Sequence, residues 1–139
     1  MNKLQRAVAV LAILVSVAAC AKKSPTEPTP TPPPPSLFLI TADDGFFSPS
    51  QLTVSHGDTV TWFNSDLNFN PHKVASGACG PCVTDGVWSS DSLTFGETFT
   101  LVFGAGTDPT GVITFIDTTG TFPYFCTLHG VTGSITVNP

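Results

Sequence analysis

The chain has 139 residues, among them 13 prolines and 12 glycines, with ten acidic against five basic side chains and a formal net charge of −5. From residue 37 to the end the balance is steeper, with one basic residue, Lys73, against nine acidic ones. Phosphate recognition needs clustered Lys and Arg, so this composition argues against nucleic-acid binding; a basic protein partner fits such a field, and plain solubility accounts for it equally well.

Taken in chain order, the first element is an export signal. Lys3 and Arg6 give a short basic region, Ala7 to Val15 is apolar, and Ser16-Val-Ala-Ala-Cys20 supplies small residues at a cleavage point. The apolar run is shorter than the roughly 20 residues of an ordinary membrane-spanning helix. Val17-Ala18-Ala19-Cys20 resembles a bacterial lipobox, which implies removal of residues 1–19 and acylation of Cys20 as the first mature residue. A plain secretory signal cut near Ala19 is the other reading, and both export the protein. The lipobox implies a cell-envelope protein tied to the membrane through lipid, facing the periplasm or the cell surface.

Residues 20–36 read as a linker. Lys22-Lys-Ser-Pro-Thr-Glu-Pro-Thr-Pro-Thr-Pro-Pro-Pro-Pro-Ser36 cannot enter a helix or a sheet interior, because proline fixes φ and removes backbone donors. Such a run is an extended spacer that holds the following domain away from the anchor.

Residues 37–139, about one hundred in all, have the size of one domain, and their pattern is β throughout. Leu52 and Val54 alternate with Thr53, Val60 and Trp62 with Thr59, Thr61 and Phe63, and Phe99, Leu101 and Phe103 share a face, as do Ile135 and Val137. Period-two runs rich in Val, Thr, Ile and Phe are strands with one buried face. His56-Gly57-Asp58, Asn64-Ser65-Asp66, Ser76-Gly77, Phe95-Gly96-Glu97, Asp108-Pro109-Thr110-Gly111 and Thr119-Gly120 read as turns between them. The expected fold class is all-β, a two-sheet sandwich or barrel.

The chemistry concentrates in Tyr124-Phe125-Cys126-Thr127-Leu128-His129-Gly130 and in Asn70-Pro71-His72-Lys73-Val74. Cys126 follows Phe122 and Tyr124 at period two and is expected to face the core with them. A thiolate and an imidazole three residues apart on a tight loop can reach one metal ion, and His72 offers a second imidazole. Two nitrogens and one sulfur suit copper, since thiolate stabilises Cu(I) while imidazole tolerates both oxidation states.

These segments, together with Phe47-Ser-Pro-Ser-Gln-Leu-Thr-Val54, Gly57-Asp-Thr-Val-Thr-Trp-Phe-Asn64, Gly96-Glu-Thr-Phe99 and Gly133-Ser-Ile-Thr-Val137, resemble the cupredoxins, the blue-copper family, over nearly all of residues 37–139. The resemblance implies a Greek-key sandwich with copper near one end, cycling between Cu(I) and Cu(II) and held by His72, Cys126 and His129. It also implies single-electron transfer with a redox protein partner of cytochrome or oxidase type.

The chain departs from the family in two places. The usual methionine after the second histidine, a long axial ligand, is replaced near Val131, and the chain's single methionine is Met1. This leaves a three-coordinate site, a weak axial oxygen from the Pro71 carbonyl or the Thr132 hydroxyl, or no copper at all. Because axial ligation helps to set the potential, a copper site lacking Met is expected to have the higher one. The Asn that braces the copper loops in several relatives is replaced by Lys73, and Asn70 is a candidate for that role.

Cys79-Gly80-Pro81-Cys82 has the spacing of a thioredoxin redox motif, but that chemistry places the first cysteine at a helix N-terminus. Val83-Thr84-Asp85-Gly86 follows and breaks any helix. In an exported protein the pair is expected as a structural disulfide, with a redox or metal-relay role as the alternative. His56 is expected exposed and inert. Residues 104–119 are longer than the family needs and are compatible with an extra hairpin.

Three function classes follow. An electron carrier needs a buried rigid copper and an exposed apolar patch near the second histidine, for which Leu128, Gly130 and Val131 are candidates. A copper storage or delivery protein would favour Met- or His-rich surfaces, and a copper-free structural or adhesion module needs neither. Oxidase or nitrite reductase activity needs further copper sites with His-x-His pairs, which the sequence lacks, so the chain is not read as an enzyme.

Overall fold

Ten strands and no helix make up the described part of the computed structural model, which covers residues 34–106 and 114–139. The expected signal segment, Cys20 and the linker up to residue 33 lie outside the described residues. In chain order the strands are β1 (Leu37–Asp43), β2 (Phe46–Ser48), β3 (Gln51–Ser55), β4 (Thr59–Asn64), β5 (Val74–Ala78), β6 (Val83–Ser89), β7 (Thr98–Val102), β8 (Thr114–Phe115), β9 (Gly120–Cys126) and β10 (Thr132–Asn138).

They form two five-stranded sheets, ordered β2-β1-β4-β7-β8 and β3-β10-β9-β5-β6. The chain passes repeatedly from one sheet to the other, as the expected sandwich requires. Both sheets are mixed: β1 runs parallel to β4, β3 to β10 and β7 to β8, while the other pairs are antiparallel.

Period-two alternation sets the core. Val60, Trp62 and Asn64 point inward from β4, Ile40 and Ala42 from β1, Tyr124 and Cys126 from β9, and Ile135 and Val137 from β10. Trp62 is fully buried, with its ring 5.2 Å from Trp88, 5.8 Å from Phe99 and edge-on to Tyr124 at 5.3 Å. This aromatic cluster spans both sheets, and tilted or edge-on contacts of this kind add to what area burial alone gives. Asp58 is buried at the opposite edge of β4, where its carboxylate accepts the backbone N–H groups of Ser36 (2.6 Å) and Ser55 (2.7 Å).

Two sequence expectations change here. Ser76-Gly77 is not a turn but lies within β5, at a register shift against β6. Gly77 has φ 135°, and a Cβ there would overlap the Val83 carbonyl, so the signal that resembled a turn marks a bulge that only glycine fits. The described part of residues 104–119 supplies β8, which runs parallel to β7 and so is not the second arm of a hairpin with it; residues 107–113 lie outside the described residues.

Tyr124 is the chain's single tyrosine, and burial pushes its phenol up to about 12. A raised phenol favours the neutral form in the fold, so its contribution is intact below the ordinary value near 10 and is lost as pH rises from there toward 12. Phenolate absorbance is therefore expected to be small at pH 11 in the folded protein and to rise strongly there on unfolding in urea. Half-ionisation near pH 10 in the native state would contradict this burial.

Candidate metal centre

Cys126 ends β9 directly opposite Val74, the first residue of β5. His72 precedes Val74 by two residues and is fixed by paired backbone hydrogen bonds with Leu93 (2.9 and 2.7 Å). The Thr127 N–H donates to the Lys73 carbonyl at 2.8 Å, which ties the two ligand-bearing segments together. Beyond Cys126 the chain turns tightly. The Gly130 N–H returns to the Cys126 carbonyl at 2.8 Å, Gly130 takes φ 70°, and the Cys126 N–H meets the Val131 carbonyl at 2.7 Å. That left-handed turn, natural for glycine, carries His129 back over the thiol.

The three side chains converge. The Sγ of Cys126 lies 3.7 Å from Nδ1 of His72 and 3.5 Å from Nδ1 of His129, and all three donor atoms lie within 4.8 Å of one another. Donors about 2.0–2.3 Å from a shared ion in a trigonal plane would stand roughly 3.6 Å apart. The residues therefore fit one small metal ion. Among the described residues Cys126 is the free cysteine and is fully buried, His72 is 1 % exposed, and His129 is exposed. Burial, reinforced by the nearby His129 ring, holds the His72 imidazole below its ordinary value, so it is neutral near pH 7 and able to offer a lone pair to a metal.

Two buried polar residues behind His72 were not legible as site residues. Asn64 is fully buried; its Nδ2 donates to the carbonyls of Asn70 and Leu93, each at 2.9 Å, and its Oδ1 accepts the Asp66 N–H at 2.9 Å. Asp66 is likewise fully buried. Its Oδ1 accepts the Asn68 N–H at 2.7 Å, its Oδ2 accepts from Nδ2 of Asn70 at 3.0 Å, and Oδ2 lies 3.6 Å from Nε2 of His72. Burial opposes ionisation of Asp66, but these donors and the adjacent His72 outweigh it and hold the carboxyl below the usual carboxylate range. Asn70 thus braces the loop through Asp66. The only sequence signals were a turn motif at residues 64–66 and one more acid in a count of nine.

The candidate axial positions divide by strand geometry. Thr132 pairs with Phe125 across β9 and β10 and is exposed. Directly opposed residues share a face and neighbours along a strand alternate, so the Thr132 hydroxyl lies on the face away from Cys126 and is not an axial candidate. Val131 packs against the core cluster that contains Cys126. Of the two oxygens considered, the Pro71 carbonyl remains.

Other expectations resolve around the site. Cys79 and Cys82 are joined as a disulfide in the turn between β5 and β6, and Val83–Ser89 continues as strand. A Cβ at Gly130 would lie 3.8 Å from the Cys82 sulfur, so this ring flanks the ligand loop. His56 is exposed as expected, and its Nε2 meets Oδ1 of Asp117 at 2.8 Å on the surface. A cleft of about 400 Å3 borders Lys73, Thr84, Trp88, Ser89 and Thr127 but is lined by none of the three ligand candidates. The apolar surface at this end is broader than expected. Leu128 is 51 % exposed, Leu67 76 % and Phe69 71 %, and the Phe69 ring packs edge-on against that of Phe95 at 5.3 Å. Phe69 holds φ 62°, an uncommon conformation for a bulky residue.

Comparison with known proteins agrees with this geometry. The family of copper-binding proteins of plastocyanin/azurin type matches residues 39–138. A plastocyanin of Scenedesmus fuscus is 34% identical over 107 residues, which cover 69% of this chain and 92% of that protein. Among solved structures, a purple cupredoxin from Nitrosopumilus maritimus is similar with a TM-score of 0.56 and 27% identity, over 72% of this chain and 98% of the other. An amicyanin variant in its oxidised form gives 0.53 at 22% identity, over 73% and 81%. A copper-containing nitrite reductase from Thermus scotoductus gives 0.54 at 19%, over 78% of this chain but 23% of the enzyme, and shares the fold alone. With a thiol and two imidazoles gathered at the end of a two-sheet sandwich, the chain belongs to the cupredoxins, the plastocyanin/azurin family of copper-binding proteins.

Proposed function

We propose that this cupredoxin is an exported, lipid-anchored carrier of single electrons whose copper is held by His72, Cys126 and His129. The observation that carries the reading is the placement of a buried free thiol between two Nδ1 atoms, at 3.5 and 3.7 Å, with one of the two imidazoles exposed. Copper bound there supplies a one-electron couple between Cu(I) and Cu(II). Cys126 and His72 are locked by the sheet and by backbone hydrogen bonds, which limits rearrangement when the charge changes. His129 brings the site edge to the surface, and Leu67, Phe69, Phe95 and Leu128 offer an apolar collar where a partner can exclude water.

The acidic surface favours a basic redox partner of cytochrome or oxidase type. Cys20 and the proline-rich linker are the proposed tether, with the folded domain held off a bacterial membrane in the periplasm or at the cell surface. The absence of methionine after Met1 argues against copper storage or delivery, and the one cluster of His and Cys ligands among the described residues supports a carrier rather than an enzyme. A copper-free structural module does not explain why a thiol and two imidazoles converge.

Titration of the metal-free protein with Cu(II), read by absorption and electron paramagnetic resonance, tests the proposal. An intense visible thiolate-to-copper band at one equivalent, reversibly bleached on reduction, is the expected result. Colourless binding, or none, would reject the copper-carrier reading.

A further inference from the structure

We infer that Asp66 is a positioning residue for the metal centre, a buried carboxylate that fixes the ring of His72 from behind and weights the site toward the oxidised metal. The inference rests on the copper reading above and adds to it a residue outside the ligand set.

The argument starts from an unsatisfied atom. With Nδ1 of His72 directed at Cys126, the proton of a neutral imidazole belongs on Nε2, and that nitrogen is buried without a hydrogen-bond partner. A buried donor left unpaired opposes folding unless a neighbour can accept from it. The polar group that faces it is Oδ2 of Asp66, 3.6 Å away, slightly beyond hydrogen-bond distance. Both residues are almost completely removed from solvent. No neighbouring group makes Asp66 a donor: Oδ1 accepts from the Asn68 backbone and Oδ2 from the Asn70 amide. Asn64 in turn receives the Asp66 N–H and holds the Asn70 and Leu93 carbonyls. The carboxylate is therefore aimed by a network running from β4 through residues 64–70, and the group it is aimed at is the back of a ligand.

Two consequences follow. An acceptor at Nε2 selects the tautomer that leaves the Nδ1 lone pair free, and it fixes the ring plane, which is how outer groups orient metal-bound histidines. The charge acts separately. A buried thiolate and a buried carboxylate together balance a dipositive ion and leave one excess negative charge over a monopositive one. In a medium of low dielectric that excess is costly, so Asp66 favours Cu(II) and lowers the reduction potential. It opposes the rise expected from the missing axial methionine.

Asp66→Asn keeps the shape, retains an oxygen acceptor and removes the charge. Because the new amide could crowd that of Asn70, the exchange variant Asp66→Asn with Asn70→Asp is made alongside it; this restores a donor–acceptor pair and moves the charge from position 66 to position 70. Two readouts separate the roles. In the metal-free protein, nitrogen-15 chemical shifts of His72 are expected to show one fixed Nε2–H tautomer in the parent and, because a neutral amide oxygen at position 66 accepts more weakly than a carboxylate, a mixture in both variants. In the copper-loaded protein, the ratio of Cu(II) to Cu(I) affinity, obtained by chelator competition, is expected to fall about tenfold or more in Asp66→Asn, with a matching rise in potential. An unchanged tautomer together with an unchanged affinity ratio, in a variant that unfolds as the parent does, overturns the inference. If the parent forms no thiolate–copper complex, the carrier reading fails by itself, and the tautomer comparison alone decides whether Asp66 positions His72.

Discussion

Cys126→Ser is expected to abolish the visible absorption of the copper-loaded protein and to weaken copper binding by at least about 100-fold, beyond the roughly 10- to 100-fold typical of losses behind the ligands. The thiolate is the charge-donating ligand, and a hydroxyl at the same place is neither ionised nor soft near pH 7. Serine is close to cysteine in size, so the loss does not come from a cavity. The substitution does place a hydroxyl at a fully buried position, where an unpaired polar group costs about 1–3 kcal/mol, so urea unfolding of the metal-free variant is the necessary control. Retention of the band in a folded Cys126→Ser protein would remove Cys126 from the ligand set.

The second large effect concerns a residue that touches no ligand. Asn64→Ala is expected to destabilise the metal-free protein by about 3–5 kcal/mol, because it strips three hydrogen bonds from a site without solvent. The carbonyls of Asn70 and Leu93 and the N–H of Asp66 would all lose a buried partner. A loss of this size is a large share of the roughly 5–15 kcal/mol that holds an ordinary domain together. For a domain of about one hundred residues it corresponds to at least about 12 °C in Tm. Asn68→Ala is the matched control: Asn68 is exposed and reaches Asp66 through its backbone, so its change is expected within about 0.5 kcal/mol. Chemical denaturation of both variants checks the pair. A loss below about 1 kcal/mol in Asn64→Ala would show that the network does not bear on stability.

The difference between Asn64 and Cys126 shows what is legible in a linear chain. Cys126 was identifiable because its spacing to His129 and its period-two relation to Tyr124 are local facts. Strands β3, β4, β7, β9 and β10 were visible for the same reason, as alternation within a few residues. The hairpin of β5 and β6 was less so: Val74–Ala78 is buried almost throughout and Val83–Ser89 is exposed almost throughout, so neither alternates cleanly. Gly77 shows the limit of a local signal, since a glycine at a bulge and a glycine in a turn look alike until the partner strand is known.

Polar residues were harder to place, because their role depends on what closes over them. Asp66 and Asp58 are two of nine acids in the domain, and only the fold separates these buried carboxylates from exposed ones such as Asp85 and Asp91. Thr132 lost its candidacy through register, because pairing with Phe125 sets the face its hydroxyl occupies.

By itself the sequence determined the all-β class, through period-two alternation, and the absence of any methionine after Met1, while His72, Cys126 and His129 were named as a ligand set through the resemblance to the cupredoxins. The tertiary structure decided that His72, 54 positions from Cys126, lies 3.7 Å from its sulfur. It also decided which acid stands behind that histidine. Those outcomes depend on which strands pair and on which side chains lose water when the sheets close, and long-range pairing and desolvation leave no signature in neighbouring residues.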